Sequence, residues 1–220
     1  LSGAVMFGGY VSFQFVATLY LQNPLGWSPI AMAMGFLPAG LLVVASAPRM
    51  GALLGRVGTP VLILLGLGSL MTGYALFLRV SPSMPYASFL LPTMIFLGIG
   101  FALAFPSVNA QATSGIANDE QGLASGLVNT SIQIGGAVML AVTTAILGSG
   151  ANGSLPHGSL LPNMTTAIAV LVGVSMLGML ATVARLVPWG RLRRPNRTRA
   201  ALGASGLEIA DNDRVLCDID

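Results

Sequence analysis

Charge is what this sequence has least of. Only 8% of its 220 residues are Asp, Glu, Lys or Arg, where a soluble domain carries about a quarter. Lysine is absent altogether, so all ten basic residues are Arg. Six long apolar stretches hold no charge in their cores; Arg185 enters only at the end of the last. Cys217 is the one cysteine, which excludes an intrachain disulfide and a cysteine-based metal centre. His157 is the one histidine, and the acids are confined to Asp119, Glu120 and the C-terminal tail. A zinc site therefore lacks ligands, and no metal or cofactor is expected. The same scarcity argues against an intramembrane hydrolase, because no base accompanies a nucleophile inside any stretch. No secretory leader is visible, since Leu1 already lies in an apolar run without a basic region or cleavage site. The chain does not open on Met, as expected of a fragment.

What remains is 54% hydrophobic with a mean hydropathy of +0.81. A hydrocarbon core about 30 Å thick takes roughly 20 apolar residues as a helix. Lipid offers the backbone no hydrogen-bond partner, so each stretch must bond internally. The sequence therefore predicts an all-α integral membrane fold with six transmembrane helices, about 2–21 (α1), 29–47 (α2), 60–78 (α3), 87–112 (α4), 121–147 (α5) and 165–187 (α6). The punctuation agrees. Gln22-Asn23-Pro24-Leu25-Gly26 forms a turn cluster, and Ser28-Pro29 supplies an N-cap followed by proline at the first helical position. Pro188 is expected to end α6, and residues 188–220 to form a largely disordered cytoplasmic tail, basic first and acidic later.

Arginine placement sets the expected orientation. Arg49 and Arg56 follow α2, seven more lie at the end of α6 and in the tail, and only Arg79 sits on the other side. By the positive-inside rule both ends of the chain are cytoplasmic. The net charge of +3 thus reads as topology and contact with membrane lipid headgroups, with no nucleic acid implied. Asn152-Gly-Ser and Asn163-Met-Thr have the form of glycosylation acceptors, but such triplets are common by chance.

The polar residues are unevenly shared. Gln14 on α1, Asn109 and Gln111 on α4, and Asn129 and Gln133 on α5 are the amides inside the spans. An amide facing lipid is left unsatisfied, so α1, α4 and α5 are expected to face protein or a wet cavity, with α3 and α6 outermost. Tyr10, Gln14 and Thr18 recur every four residues as one stripe. Gly122, Gly126, Asn129, Gln133 and Gly136 form another on α5. Two readings stay open there: close packing at the glycines with amides bonded to a neighbour, or a stripe lining a substrate path. Pro38, Pro92 and Pro106 sit inside spans, as packing kinks or as bends shaping a cavity.

Three stretches resemble the major facilitator superfamily, specifically its fourteen-helix drug:proton antiporter branch. Tyr20-Leu21-Gln22, Gly26-Trp27-Ser28-Pro29 and Gly35-Phe36-Leu37-Pro38 together are similar to the first loop and second helix of the C-terminal half. Gly51-Ala52-Leu53-Leu54-Gly55-Arg56-Val57-Gly58 resembles a degenerate copy of the family's cytoplasmic loop motif. Residues 122–136, Gly-Leu-Ala-Ser-Gly-Leu-Val-Asn-Thr-Ser-Ile-Gln-Ile-Gly-Gly, resemble its penultimate-helix signature. The resemblance spans about residues 1–187. It implies one six-helix half-bundle of a transporter that works by alternating access across the cell membrane, exporting small amphipathic drugs or metabolites.

On that resemblance the cavity-lining residues are Tyr10, Phe13, Gln14, Thr18, Asn129 and Gln133, the helix-packing residues Gly122, Gly126 and Gly136, and the loop-motif residues Gly51, Arg56 and Gly58. Two positions depart from the pattern. Gly55 stands where the loop motif often has Asp, and Ile132 where the α5 signature commonly has Arg. No carboxylate lies at mid-membrane, so protons are expected to couple through the missing N-terminal half. The alternatives are transport of another small solute, or a channel-like assembly of self-associating halves.

Overall fold

The computed structural model describes residues 2–23, 25–79, 86–117, 119–149 and 163–192. Six helices follow in order: α1 Ser2–Gln22, α2 Pro29–Val57, α3 Thr59–Phe77, α4 Tyr86–Thr113, α5 Gln121–Ser149 and α6 Met164–Leu192. Each has a window long and apolar enough to cross a membrane. The chain divides into one compact unit, Leu1–Ala184, and a second, Arg185–Asp220, described only as far as the end of α6. Most of the expected tail thus lies outside the described residues.

Two boundaries differ from expectation, for local reasons. Helix α2 runs ten residues further than the apolar run, through Pro48 and the arginines to Val57. Nothing in Arg49–Val57 disfavours helix except glycine, and Arg56 lies in the last turn, where a cation favours the carbonyl end. Gly58 then turns the chain at φ 87°, a conformation that favours glycine, and α3 begins at the next residue. Pro188, expected as a terminator, lies inside α6. At the start of α2 the Ser28 hydroxyl accepts from the Ala31 amide at 3.3 Å, as the Ser-Pro pair implies.

Small residues decide which helices meet. On α3, a Cβ at Gly66 would lie 2.7 Å from the Ala104 Cβ and 2.8 Å from the Gly100 carbonyl oxygen of α4. The Ser69 hydroxyl donates to the Phe96 carbonyl across the same seam at 2.7 Å. Helix α1 approaches α5 as closely: a Cβ at Gly8 would meet the Gly135 carbonyl oxygen at 2.8 Å, and Gly135 abuts Ala4. In lipid no water is released between helices, so such close backbone approach supplies much of the attraction.

The core gathers round α1. Phe13, Val16, Ala17, Tyr20 and Leu21 pack with Ile63, Leu67, Leu70, Tyr74 and Phe77 of α3, Leu90, Met94 and Leu97 of α4, and Ala167, Ile168 and Leu171 of α6. Half of the spanning windows of α1 and α4 is buried, against 11% for α2 and 17% for α5. Helix α3 buries one whole face and exposes Val61 and Leu65, while the sparsely covered helices are α2 and α5.

Candidate functional site

Helix α1 carries two aromatic rows with different fates. On one side Phe13 lies tilted against Tyr74 and edge-on to Phe77, ring centroids 5.0 Å from each, and Phe77 meets Tyr20 edge-on at 5.6 Å. All four are fully buried. On the other side Tyr10 lies 4.5 Å from Phe101 of α4, which stacks on Phe105 at 5.0 Å with an 11° interplanar angle. These three rings stay partly exposed. The Gln14 amide nitrogen donates to the Tyr10 hydroxyl at 3.1 Å, and Thr18 continues the stripe, also partly exposed.

Phe13 is therefore a correction: its ring is committed to the core and lines no cavity. A position three residues from Tyr10 falls on the adjoining helix face, which here turns to α3. Phe101 and Phe105 were missed by sequence reasoning. Their i, i+4 spacing with Asn109 was readable, but Phe is common in membrane helices and only the fold puts them beside Tyr10.

The expected lining does not converge at one level. Helices α1 and α5 run parallel, with Gly3 against Ile132 and Gly8 against Met139. Gln133 and Asn129 consequently lie roughly 12 and 18 Å along the axis from the level of Tyr10, on the side of the α1 start. Asn109 shares that end, because Gly3 also meets its neighbour Val108. Tyr10 and Gln14 form one tier, and the amides of Asn109, Asn129 and Gln133 a second. Asn129 and Gln133 are exposed, as is Gln111.

The glycines separate likewise. A Cβ at Gly136 would contact the Phe7 ring at 3.2 Å, so this glycine does admit a neighbour. Gly122 and Gly126 have nothing within 4 Å of that position, so they pack against no described part of this chain. The close approach falls to Gly135 and Gly8 instead. Ile132 is buried against Gly3, where an arginine would need a partner that α1 does not offer. In the loop motif, Gly51 is open and exposed, Arg56 is exposed, and Gly58 forms the turn. Arg49 reaches its own helix carbonyl at Ala45, 3.4 Å away. Among the described residues no group of His, Cys, Asp and Glu is placed to hold a metal.

The profile of the Major Facilitator Superfamily matches residues 1–140. The puromycin resistance protein pur8 of Streptomyces alboniger is 34% identical over 187 residues, covering 80% of this chain and 37% of that protein. The cephamycin export protein CmcT of Amycolatopsis lactamdurans is 34% identical over 141 residues, 64% of this chain and 29% of its own. Among solved structures, a crystal structure of the nucleoside transporter NupG (D323A mutant) superposes with a TM-score of 0.65 at 16% identity, over 83% of this chain and 46% of that one. The chain thus spans about a third of the length of these curated relatives and under half of the transporter. With its six spanning helices and the profile match over well over half its length, the chain is a multi-pass membrane protein that belongs to the Major Facilitator Superfamily.

Proposed function

We propose that this chain is the C-terminal six-helix half of a drug:proton antiporter that exports small amphipathic compounds across the cell membrane. The observation that carries the reading is the half-open face of α1 and α4, where Tyr10, Gln14, Phe101 and Phe105 pair aromatic surface with a neutral amide. Such a lining suits ligands that are mostly apolar with a few polar groups. The relatives named for puromycin resistance and cephamycin export support an export role. Both ends of the chain lie in the cytoplasm on this reading, with Arg49 and Arg56 at the inner surface.

The remainder of the transporter packs on α2 and α5. Ile30, Met34, Leu37, Leu41 and Val44 follow one another at helical spacing along α2 and are all exposed. Leu123, Leu127, Ile134 and Val138 do the same on α5, beside the open Gly122 and Gly126. Rocking of two bundles about such a seam exposes the site to each side in turn. The proton carrier belongs to the part outside this chain, because the acids nearest the bundle, Asp119 and Glu120, sit exposed in the α4–α5 turn.

Expression of the full-length protein in an efflux-deficient host tests this. Raised resistance to lipophilic aromatic drugs, abolished by a protonophore, is the expected result. Unchanged accumulation of every drug and dye tried refutes export. Efficient cross-linking of this half to a second copy of itself along α2 and α5, in place of the other half, would favour a channel-like assembly.

A further inference from the structure

Gly9 differs from the other glycines of α1. Gly3 and Gly8 leave no room for a side chain, since a Cβ there would lie 2.8 Å from Val108 and 2.7 Å from Met139. A Cβ at Gly9 would meet nothing nearer than 3.4 Å, which is an ordinary contact. Close helix approach therefore does not demand glycine at this position. The methyl group it lacks leaves a small space on the side of α1 that faces α3 and α6.

The atoms bordering that space are polar. Nearest to the Cβ position are the Tyr74 hydroxyl oxygen of α3, at 3.4 Å, and the Ser175 hydroxyl oxygen of α6, at 3.8 Å. Tyr74 is fully buried and Ser175 is 3% exposed. The Tyr74 hydroxyl has no hydrogen-bond partner among the described residues, so it is not bonded to Ser175. Ser12, three residues along α1 from Gly9, carries a second fully buried hydroxyl in the same condition. Elsewhere the contact of α6 with α1 is apolar, as where Gly178 meets Val5.

A buried hydroxyl without a partner bears its full desolvation cost, and proteins seldom leave one so. Lipid supplies no partner either. An internal water needs at least two polar groups and a space of about its own size. Tyr74 and Ser175 provide the groups, and the side chain missing at Gly9 provides the space. Two neutral hydroxyls do not match a metal cation, which takes six or more oxygens when it is hard.

We infer that Gly9, Tyr74 and Ser175 form a binding site for one internal water molecule, which accepts from the Tyr74 hydroxyl, bonds the Ser175 hydroxyl and so ties α3 to α6 across α1. The site lies on the packed side of α1, opposite the half-open Tyr10 face, and is independent of what the protein exports.

Thermal unfolding of the detergent-purified full-length protein tests this through the sign of two shifts. Tyr74→Phe keeps the ring against Phe13 but takes a bond from the water, and should lower the melting temperature by about 1–3 °C. Gly9→Ala displaces the water and should lower it too, although alanine is the better helix former. In a dry site both signs reverse, because phenylalanine removes an unsatisfied hydroxyl and alanine fills a void. A melting temperature raised or unchanged in either variant overturns the inference. One water serves both hydroxyls, so Tyr74→Phe combined with Ser175→Ala should lose little more than the worse single variant, whereas fully additive losses count against a shared water. A high-resolution crystal structure of the full-length protein should show density about 2.8 Å from both oxygens. An empty space there, or a direct Tyr74–Ser175 hydrogen bond, also overturns the inference.

Discussion

Gly66 and Gly68 sit two residues apart on α3 and separate helix packing from helix propensity within one turn. Alanine at Gly66 would place its Cβ 2.8 Å from both the Ala104 amide nitrogen and the Gly100 carbonyl oxygen, which are backbone atoms that no rotamer change can move. A comfortable carbon contact is about 3.5 Å, so α3 and α4 must separate by roughly 0.7 Å. Overpacking of this kind costs about 1–3 kcal/mol. Replacing a helical glycine by alanine returns up to about 1 kcal/mol. Gly66→Ala should therefore destabilise by about 1–2 kcal/mol net. Gly68→Ala has nothing within 4 Å to strike and should be neutral or stabilising by up to about 1 kcal/mol. The difference of roughly 2 kcal/mol is measurable by reversible SDS unfolding of the purified full-length protein followed by far-ultraviolet circular dichroism. Equal midpoints for the two variants would refute the claim that the α3–α4 seam is set by backbone contact at Gly66.

Three further substitutions probe other links. Ser69→Ala removes the 2.7 Å hydrogen bond to Phe96 and should cost about 0.6 kcal/mol, at most about 1.7; no change in the same unfolding assay would show that the bond adds nothing. Gly58→Ala forces a side chain into φ 87°, and the expected loss is about 1–2 kcal/mol, seen as a lower melting temperature. On the proposed topology a cysteine at Ser149, exposed at the end of α5, reacts with an impermeant maleimide added outside intact cells. Reaction only after the cells are opened would reverse the orientation.

The six spans and their order were legible because lipid makes helix formation obligatory wherever about 20 apolar residues run together. Contact between helices was not. Gly122, Gly126 and Gly136 look alike in sequence, yet among the described residues only Gly136 meets a neighbour, the Phe7 ring. Among the glycines that set close approach, Gly8, Gly66, Gly98 and Gly100 belong to no motif, and Gly135 lies in the 122–136 stretch with nothing in sequence to tell it from Gly136. Helical position is periodic and therefore readable, whereas the partner at each position depends on three-dimensional register. The length of α2 was misjudged for a related reason. Hydropathy ends where arginine begins, but Arg49 and Arg56 are good helix formers, and nothing stops the helix before Gly58.

The amides singled out α1 and its Tyr10–Gln14 stripe, and the structure joins those two side chains by a hydrogen bond. They also drew Asn129 and Gln133 into the same lining, although parallel packing of α1 and α5 sets those two a dozen ångströms or more away. The low charge noted at the outset acquires a local cause at one position. Ile132 fills the small gap opposite Gly3 and lies buried between α1 and α5. An arginine there would have to leave that gap or bury its charge against an uncharged helix, at a cost of several kcal/mol. Ile132→Arg should therefore open the α1–α5 seam, while Ile132→Val, which keeps an apolar branched side chain, should cost about 0.5–1.5 kcal/mol. If both variants unfold at the wild-type SDS concentration, Ile132 does not seal this seam, and the low charge of the bundle has some other origin.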